Sequence, residues 1–261
     1  MKNFNFKSAS NAKEAAKLAS GHATFLAGGM SLLPAMKLRL AAYSDLINIK
    51  KIKTLSGIKV SSKSLRIGAT TTHASVASSK EVGKSIPSLA VLADGIGDPQ
   101  VRNRGTIGGS IANNDPAADY PSACLALNAT IHTSKRKIPA DKFFKGMFET
   151  DLKKGELIES VEFEIPEKSA YAKFPNPASR YAVVGVYVAK LKNEVRVAVT
   201  GAGNCVFRSK ELEASLSNNF SASAIDSVNI SSKGLNSDIH ASAEYRAHII
   251  KVMAKKAVSS C

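Results

Sequence analysis

The chain has 261 residues, a hydrophobic fraction of 44% and a formal net charge of +15. No run approaches the ~18 apolar residues of a membrane span, so no transmembrane segment is expected. The length allows one large domain or two smaller ones, each with its own core. Met1–Lys7 lacks the apolar stretch of a secretion signal, which points to a cytoplasmic protein. The three cysteines, Cys124, Cys205 and Cys261, form no C-x-x-C pair. An iron–sulfur cluster needs four ligands, so neither a cluster nor a disulfide framework is expected here, and no metal site. A basic balance can serve nucleic acid, an anionic membrane or an acidic partner. The lysines, however, are spread thinly and form no long run, and no nucleic-acid recognition signature is present. A solvated basic surface, without nucleic acid, is the simpler reading.

The first elements read as a strand and then a helix. Asn11 followed by Glu14 has capping-box spacing, and Ala12–Leu18 carries good helix formers. Ala23–Leu26 reads as a short strand running into Ala27-Gly28-Gly29-Met30-Ser31. The apolar stretch Leu32–Leu40 follows, then a strand at Leu46–Ile49. Ile58 and Val60, then Leu65 and Ile67, alternate with polar residues around Ser61–Ser64, which predicts a hairpin. Thr72 suits the cap of a helix through Ser78. Pro87 suits the first turn of another through Leu92, ended by Gly95 and Gly97.

Asp98–Asp119, DPQVRNRGTIGGSIANNDPAAD, is rich in Gly, Asn, Asp and Pro and reads as irregular. A helix is expected at Ser122–Leu127 and strands at Leu157–Ile165, Tyr181–Leu191 and Val195–Thr200, with Glu167–Pro177 as a boundary. Ser242–Ala257 is helical in pattern. The whole is α+β in two parts.

Two glycine-rich segments, Gly28-Gly29-Met30-Ser31 and Thr106-Ile107-Gly108-Gly109-Ser110, are the candidates for chemistry. Glycine lets backbone approach a ligand closely, and successive N–H groups can form an anion-binding concavity. Ser31, Thr106 and Ser110 add hydroxyls. A diphosphate suits two such loops facing each other, whereas either loop alone is better explained by a tight turn. Asp115 suits a turn before Pro116. Asp119 is either a helix cap or a carboxylate accepting hydrogen bonds from a polar ligand. Gly201-Ala202-Gly203 imitates a dinucleotide fingerprint, but Val206 stands where the third glycine should be, so a strand-ending turn is the better reading. The G-x-S-x-G nucleophile elbow fails around Ser110, and no Walker-type loop is present. No acid, base or nucleophile emerges, so no catalytic residue is named.

Ala27–Leu40 (AGGMSLLPAMKLRL), Ile96–Pro121 (IGDPQVRNRGTIGGSIANNDPAADYP) and His240–Ile250 (HASAEYRAHII) resemble the medium, FAD-binding subunits of molybdenum hydroxylases. The carbon monoxide dehydrogenase medium chain and the xanthine dehydrogenase flavin subunits are the nearest in pattern. The resemblance covers nearly the whole chain. It implies an FAD-binding region at 1–167, with α+β subdomains at about 1–54 and 55–167, and a smaller α+β C-terminal domain at 168–261.

The resemblance also assigns cofactor contacts. These are Ala27, Gly28, Gly29, Met30, Ser31, Leu32, Leu33 and Pro34; Thr106, Ile107, Gly108, Gly109 and Ser110; then Asp119, Ile158, Lys173 and Tyr181. Tyr181 is equally readable as an ordinary half-buried strand tyrosine. Met30 stands where relatives often carry Gln or His, and Asn113-Asn114 replaces a commoner His-Ala pair, a change expected to touch the flavin environment.

The implied function is electron transfer by bound FAD. A large molybdopterin subunit would oxidise substrate, and a small subunit with two [2Fe–2S] clusters would relay electrons to this chain. The chain would pass them to NAD, quinone or another external acceptor, in a dimer of heterotrimers. Two alternatives are a stand-alone FAD oxidase or reductase, and a non-catalytic phosphate-ligand or nucleic-acid binding protein.

Overall fold

The computed structural model describes residues 1–261. Three main sheets succeed one another along the chain, with a two-stranded hairpin, Phe144–Thr150, inserted within the second. The first is parallel: Asn5–Ser8 and Ala23–Leu26 flank the central Asp45–Asn48. Helices Ala12–Leu18 and Leu32–Lys37 lie between its strands in sequence. Asn11 caps the first helix, its side chain accepting from the amide of Glu14 at 2.9 Å. The return bond of the capping box falls one residue earlier than expected. The Glu14 carboxylate takes the amide and hydroxyl of Ser10, not the amide of Asn11. The apolar stretch after Ser31 is helical only to Lys37. Arg39 turns left-handed at φ 62°, leaving Leu38 and Leu40 exposed.

The second sheet is antiparallel, in the order Ile58–Val60, Ser64–Gly68, Ile158–Glu164, Thr130–Thr133, Lys137–Pro139. The expected hairpin is present, and Thr72 and Pro87 open helices His73–Ser78 and Pro87–Asp94. The stretch read as irregular holds two short helices, Pro99–Arg104 and Ile107–Asn113. Asp98 caps the first by accepting from the Val101 amide, and Thr106 caps the second by accepting from the Gly109 amide. These side chains offset the poor helix propensity of the Gly- and Asn-rich stretch.

The third sheet is antiparallel, in the order Lys168–Pro175, Ala182–Lys190, Val195–Thr200, Phe207–Arg208. Its central strands are buried on both faces, which is why they read as nearly continuous apolar runs. One face carries Ala170, Ala172, Val184, Val186, Val188, Val197 and Val199. It packs under helices Lys210–Asn218 and Ala243–Ser259. The other face carries Tyr171, Lys173, Gly185, Tyr187 and Ala198 and turns toward helices Pro87–Asp94 and Tyr120–Ala126. The third sheet therefore shares a core with the second through Tyr187, Ala189, Leu191, Ala198 and Val206.

Candidate functional site

The first glycine-rich segment abuts the backbone that leads into the second. Gly28 is buried against the backbone of Arg104 and Gly105, and a Cβ there would overlap the Arg104 carbonyl oxygen. Gly29 follows at φ 75°, a left-handed conformation that favours glycine. A Cβ on Gly29 would also come within 2.9 Å of the Leu33 side chain. The turn is thus built from glycine on one side by contact and on the other by backbone angle. None of the amides from Gly28 to Leu32 donates to an acceptor within the chain. A run of free N–H groups in one turn is an anion-binding concavity. Met30 and Ser31 are exposed beside it.

The second segment is built differently. Gly105 admits His73, since a Cβ there would lie 2.5 Å from Nε2. Gly108 packs on Ala69, where a Cβ would come within 2.5 Å of the alanine methyl. The amides of Ile107 and Gly108 donate to the Thr71 and Ala69 carbonyls, and those of Gly109 and Ser110 donate to Thr106. Thr106 is buried and its hydroxyl caps the helix, so the available groups are the Ser110 hydroxyl and the exposed face of Gly109, where a Cβ would approach only Thr106 Oγ1, at 3.0 Å. The first segment supplies amides; the second supplies a hydroxyl and an open surface.

His73 is the buttress behind this junction. Its amide donates to the Gly105 carbonyl at 3.0 Å, and its ring lies 5.3 Å from that of Tyr120. Burial, reinforced by the Arg102 charge, pushes its pKa down to about 4, so the ring is neutral at pH 7. Sequence reasoning passed over His73 because it completes no motif.

Asp119 begins the helix Tyr120–Ala126 but does not cap it through its side chain. The carboxylate instead accepts from the Tyr171 hydroxyl at 2.5 Å and pairs with Lys173 Nζ at 3.0 Å. Burial raises its pKa, while Lys173 and Tyr171 oppose the rise. Lys173 also donates to the Gly95 carbonyl at 2.8 Å, tying the end of helix Pro87–Asp94 to the third sheet. Asp115 makes the expected turn, accepting from the Ala117 amide at 2.9 Å. The turn is held to the sheet by Thr200, whose hydroxyl donates to the carbonyls of Pro116 and Ala118. Tyr181 is 45% exposed and lies just before strand Ala182–Lys190, not within it, and burial of its hydroxyl together with Asp115 and Asp119 raises its pKa.

Ile158, an expected contact, and Asn114, part of the departure from the family pattern, have other surroundings. Ile158 is 4% exposed and belongs to the core of the second sheet, at a register shift opposite Thr133. Asn114 is buried at φ 43°, and its side-chain amide donates to the carbonyls of Gly146 and Glu149, both at 2.8 Å. It ends one helix in the left-handed conformation that asparagine tolerates and ties down the hairpin Phe144–Thr150. Gly201, at φ 82°, makes the strand-ending turn expected of the false fingerprint.

Free amides in one turn suit a diphosphate, and the hydroxyl of Ser110 and the carboxylate of Asp119 are groups that suit the hydroxyls of a flavin nucleotide. The sequence profile of the FAD binding domain in molybdopterin dehydrogenase matches residues 2–168. The chain is 36% identical to the glyceraldehyde dehydrogenase medium chain of Sulfolobus acidocaldarius, over 97% of this chain and 96% of that one. It is 38% identical to the carbon monoxide dehydrogenase medium chain of Hydrogenophaga pseudoflava, over 71% and 69%. Among solved structures it matches the carbon monoxide dehydrogenase of Hydrogenophaga pseudoflava lacking the Mo-pyranopterin moiety of its molybdenum cofactor. The TM-score is 0.89 and the identity 32%, over 99% of this chain and 96% of that one. No helix is long and apolar enough to cross a membrane. The chain belongs to the FAD-binding medium-subunit family of the molybdenum hydroxylases, and is an oxidoreductase subunit with an α+β FAD-binding fold.

Proposed function

We propose that this chain is the electron-transferring flavoprotein subunit of a molybdenum hydroxylase complex. A small partner with [2Fe–2S] clusters delivers electrons to it, and an external acceptor such as NAD or quinone receives them. A large molybdopterin partner oxidises the substrate, and the assembly is a dimer of such heterotrimers in the cytoplasm. The observation that carries this reading is the free amide run Gly28–Leu32 beside the backbone of Arg104, in a chain of this family.

Bound FAD supplies the redox chemistry, and the chain supplies position and electrostatics. In this reading Ala27–Pro34 binds the diphosphate through main-chain N–H groups, so the side chain of Met30 matters little. Ser110 adds a hydroxyl donor, and Thr106, Ile107, Gly108 and Gly109 shape the facing wall. Asp119 accepts from a cofactor hydroxyl, Lys173 holds Asp119, and Tyr181 covers the flavin edge. Ile158 supports the site from the core behind it. Residues 1–167 form the FAD-binding region, in subdomains of about 1–54 and 55–167, and 168–261 form the C-terminal domain that closes over it. The net charge of +15 supports docking to acidic partner surfaces.

The test is to purify the chain from its native source under mild conditions and measure flavin, iron and molybdenum per copy. One flavin with iron and molybdenum on co-purifying chains is expected. Flavin with substrate turnover in the chain alone would replace this reading with a stand-alone flavoenzyme. A colourless chain whose ligand binding falls steeply with salt would replace it with a phosphate or nucleic-acid binder.

A further inference from the structure

Asp119 is unevenly partnered. Tyr171 and Lys173 both reach the same oxygen, Oδ1, and no other residue donates to Oδ2. The carboxylate side chain is only 5% exposed. Oδ2 is not fully enclosed, so it is the oxygen of the pair that a ligand can still reach.

Tyr171 reaches Oδ1 because of a glycine on the neighbouring strand. Tyr171 pairs with Tyr187 in register, and Gly185, two residues along, lies diagonally opposite on the same face. A Cβ at Gly185 would overlap the Tyr171 hydroxyl and lie 2.9 Å from Thr200 Cγ2. Any other residue at 185 would push the tyrosine off the carboxylate. The Tyr171 ring is steadied by stacking on Tyr187, with centroids 5.9 Å apart. The Tyr187 hydroxyl is itself held by Ser88, at 2.6 Å.

We propose that Tyr171, admitted by the gap at Gly185, is a positioning residue for FAD: with Lys173 it fixes Asp119 through Oδ1 so that Oδ2 accepts from a hydroxyl of the bound cofactor. This rests on the reading that Asp119 faces FAD. The groups facing Asp119 are Lys173 and Tyr171 from the third sheet, Tyr120 beside it in sequence, and Tyr181 just before strand Ala182–Lys190. Lys173 supplies the charge, and Tyr171, with the backbone amide of Asp119 itself, supplies the neutral donors that stabilise the ionised form. Removing the Tyr171 donor raises the pH at which Asp119 takes up a proton and stops accepting from the cofactor.

The experiment measures FAD affinity of the full-length chain by flavin fluorescence from pH 5 to 9, for the wild type, Tyr171→Phe, Asp119→Asn and the double variant. Tyr171→Phe is expected to weaken binding about tenfold at pH 7 and to move the acid limb of the pH profile upward. In the Asp119→Asn background it should have little further effect, since the two act through one oxygen. A packing role alone would not move the pH limb or produce this coupling. If Tyr171→Phe does not purify folded, Lys173→Met, which removes the other donor to Oδ1 and keeps the length of the side chain, should show the same upward shift. Wild-type affinity and pH profile in Tyr171→Phe, with Asp119→Asn defective, would overturn the proposal and leave the site reading standing. Unchanged binding in Asp119→Asn would overturn both.

Discussion

Gly28 lies against the carbonyl of Arg104, backbone on backbone, so that the first glycine turn abuts the chain leading into the second segment with no side chain between them. That contact decides how tolerant each glycine is. Gly28→Ala places a methyl into the Arg104 carbonyl, so the turn must move. Overpacking of this kind costs about 1–3 kcal/mol, and displacement of the amide run should lower FAD affinity at least tenfold. Thermal unfolding and flavin titration of the variant check both effects.

Gly109 should behave differently. Its Cβ position approaches only Thr106 Oγ1 and otherwise faces outward. Gly109→Leu is therefore expected to keep the fold and to lose FAD by filling the wall opposite the amide turn. Circular dichroism should be unchanged while the flavin-to-protein absorbance ratio collapses. Full flavin occupancy would remove the second segment from the site.

His73 predicts a pH dependence of stability. Its folded pKa, about 4, lies below its ordinary value of 6.5 because burial disfavours the charged ring. Between those values the unfolded chain binds the extra proton, so stability falls as pH drops through 6.5 toward 4 and is unaffected by this group above 6.5. The full effect is on the order of 3 kcal/mol. His73→Leu should flatten the dependence of urea-unfolding stability on pH in that window. An unaltered slope would contradict the assignment.

Arg246, from the His240–Ile250 motif, is 3% exposed and bridges three parts of the C-terminal region. It donates to the carbonyls of Val183 at 2.6 Å and Gly201 at 3.1 Å, and pairs with Asp238 at 2.7 Å. Arg246→Ala leaves two carbonyls without their donor and should cost about 3 kcal/mol. Because Arg246 braces the strand that carries Gly185, FAD affinity should fall less than stability. Denaturant midpoints and flavin titration separate the two.

Much of the fold follows from local pattern. Ala12–Leu18, Ala23–Leu26, His73–Ser78 and Val195–Thr200 carry their boundaries in caps and apolar spacing. Helices Pro99–Arg104 and Ile107–Asn113 were hidden because glycine and asparagine argue against helix. Asp98-Pro99 and the hydroxyl of Thr106 were the available signals, and each satisfies an amide that the short helix leaves open.

The sequence by itself determined the glycine turns, the family pattern and the absence of any nucleophile motif, because these depend on residue type and short spacing. Tertiary structure alone decided what each glycine is for. Gly28 and Gly105 give room to Arg104 and His73, and Gly185 gives room to Tyr171, across contacts between distant parts of the chain. It also decided that Asp119 serves as an acceptor for Tyr171 and Lys173 and not as a helix cap. Both outcomes follow from strand register and close packing, which set which side chain meets which oxygen, and neither is a property of neighbouring residues.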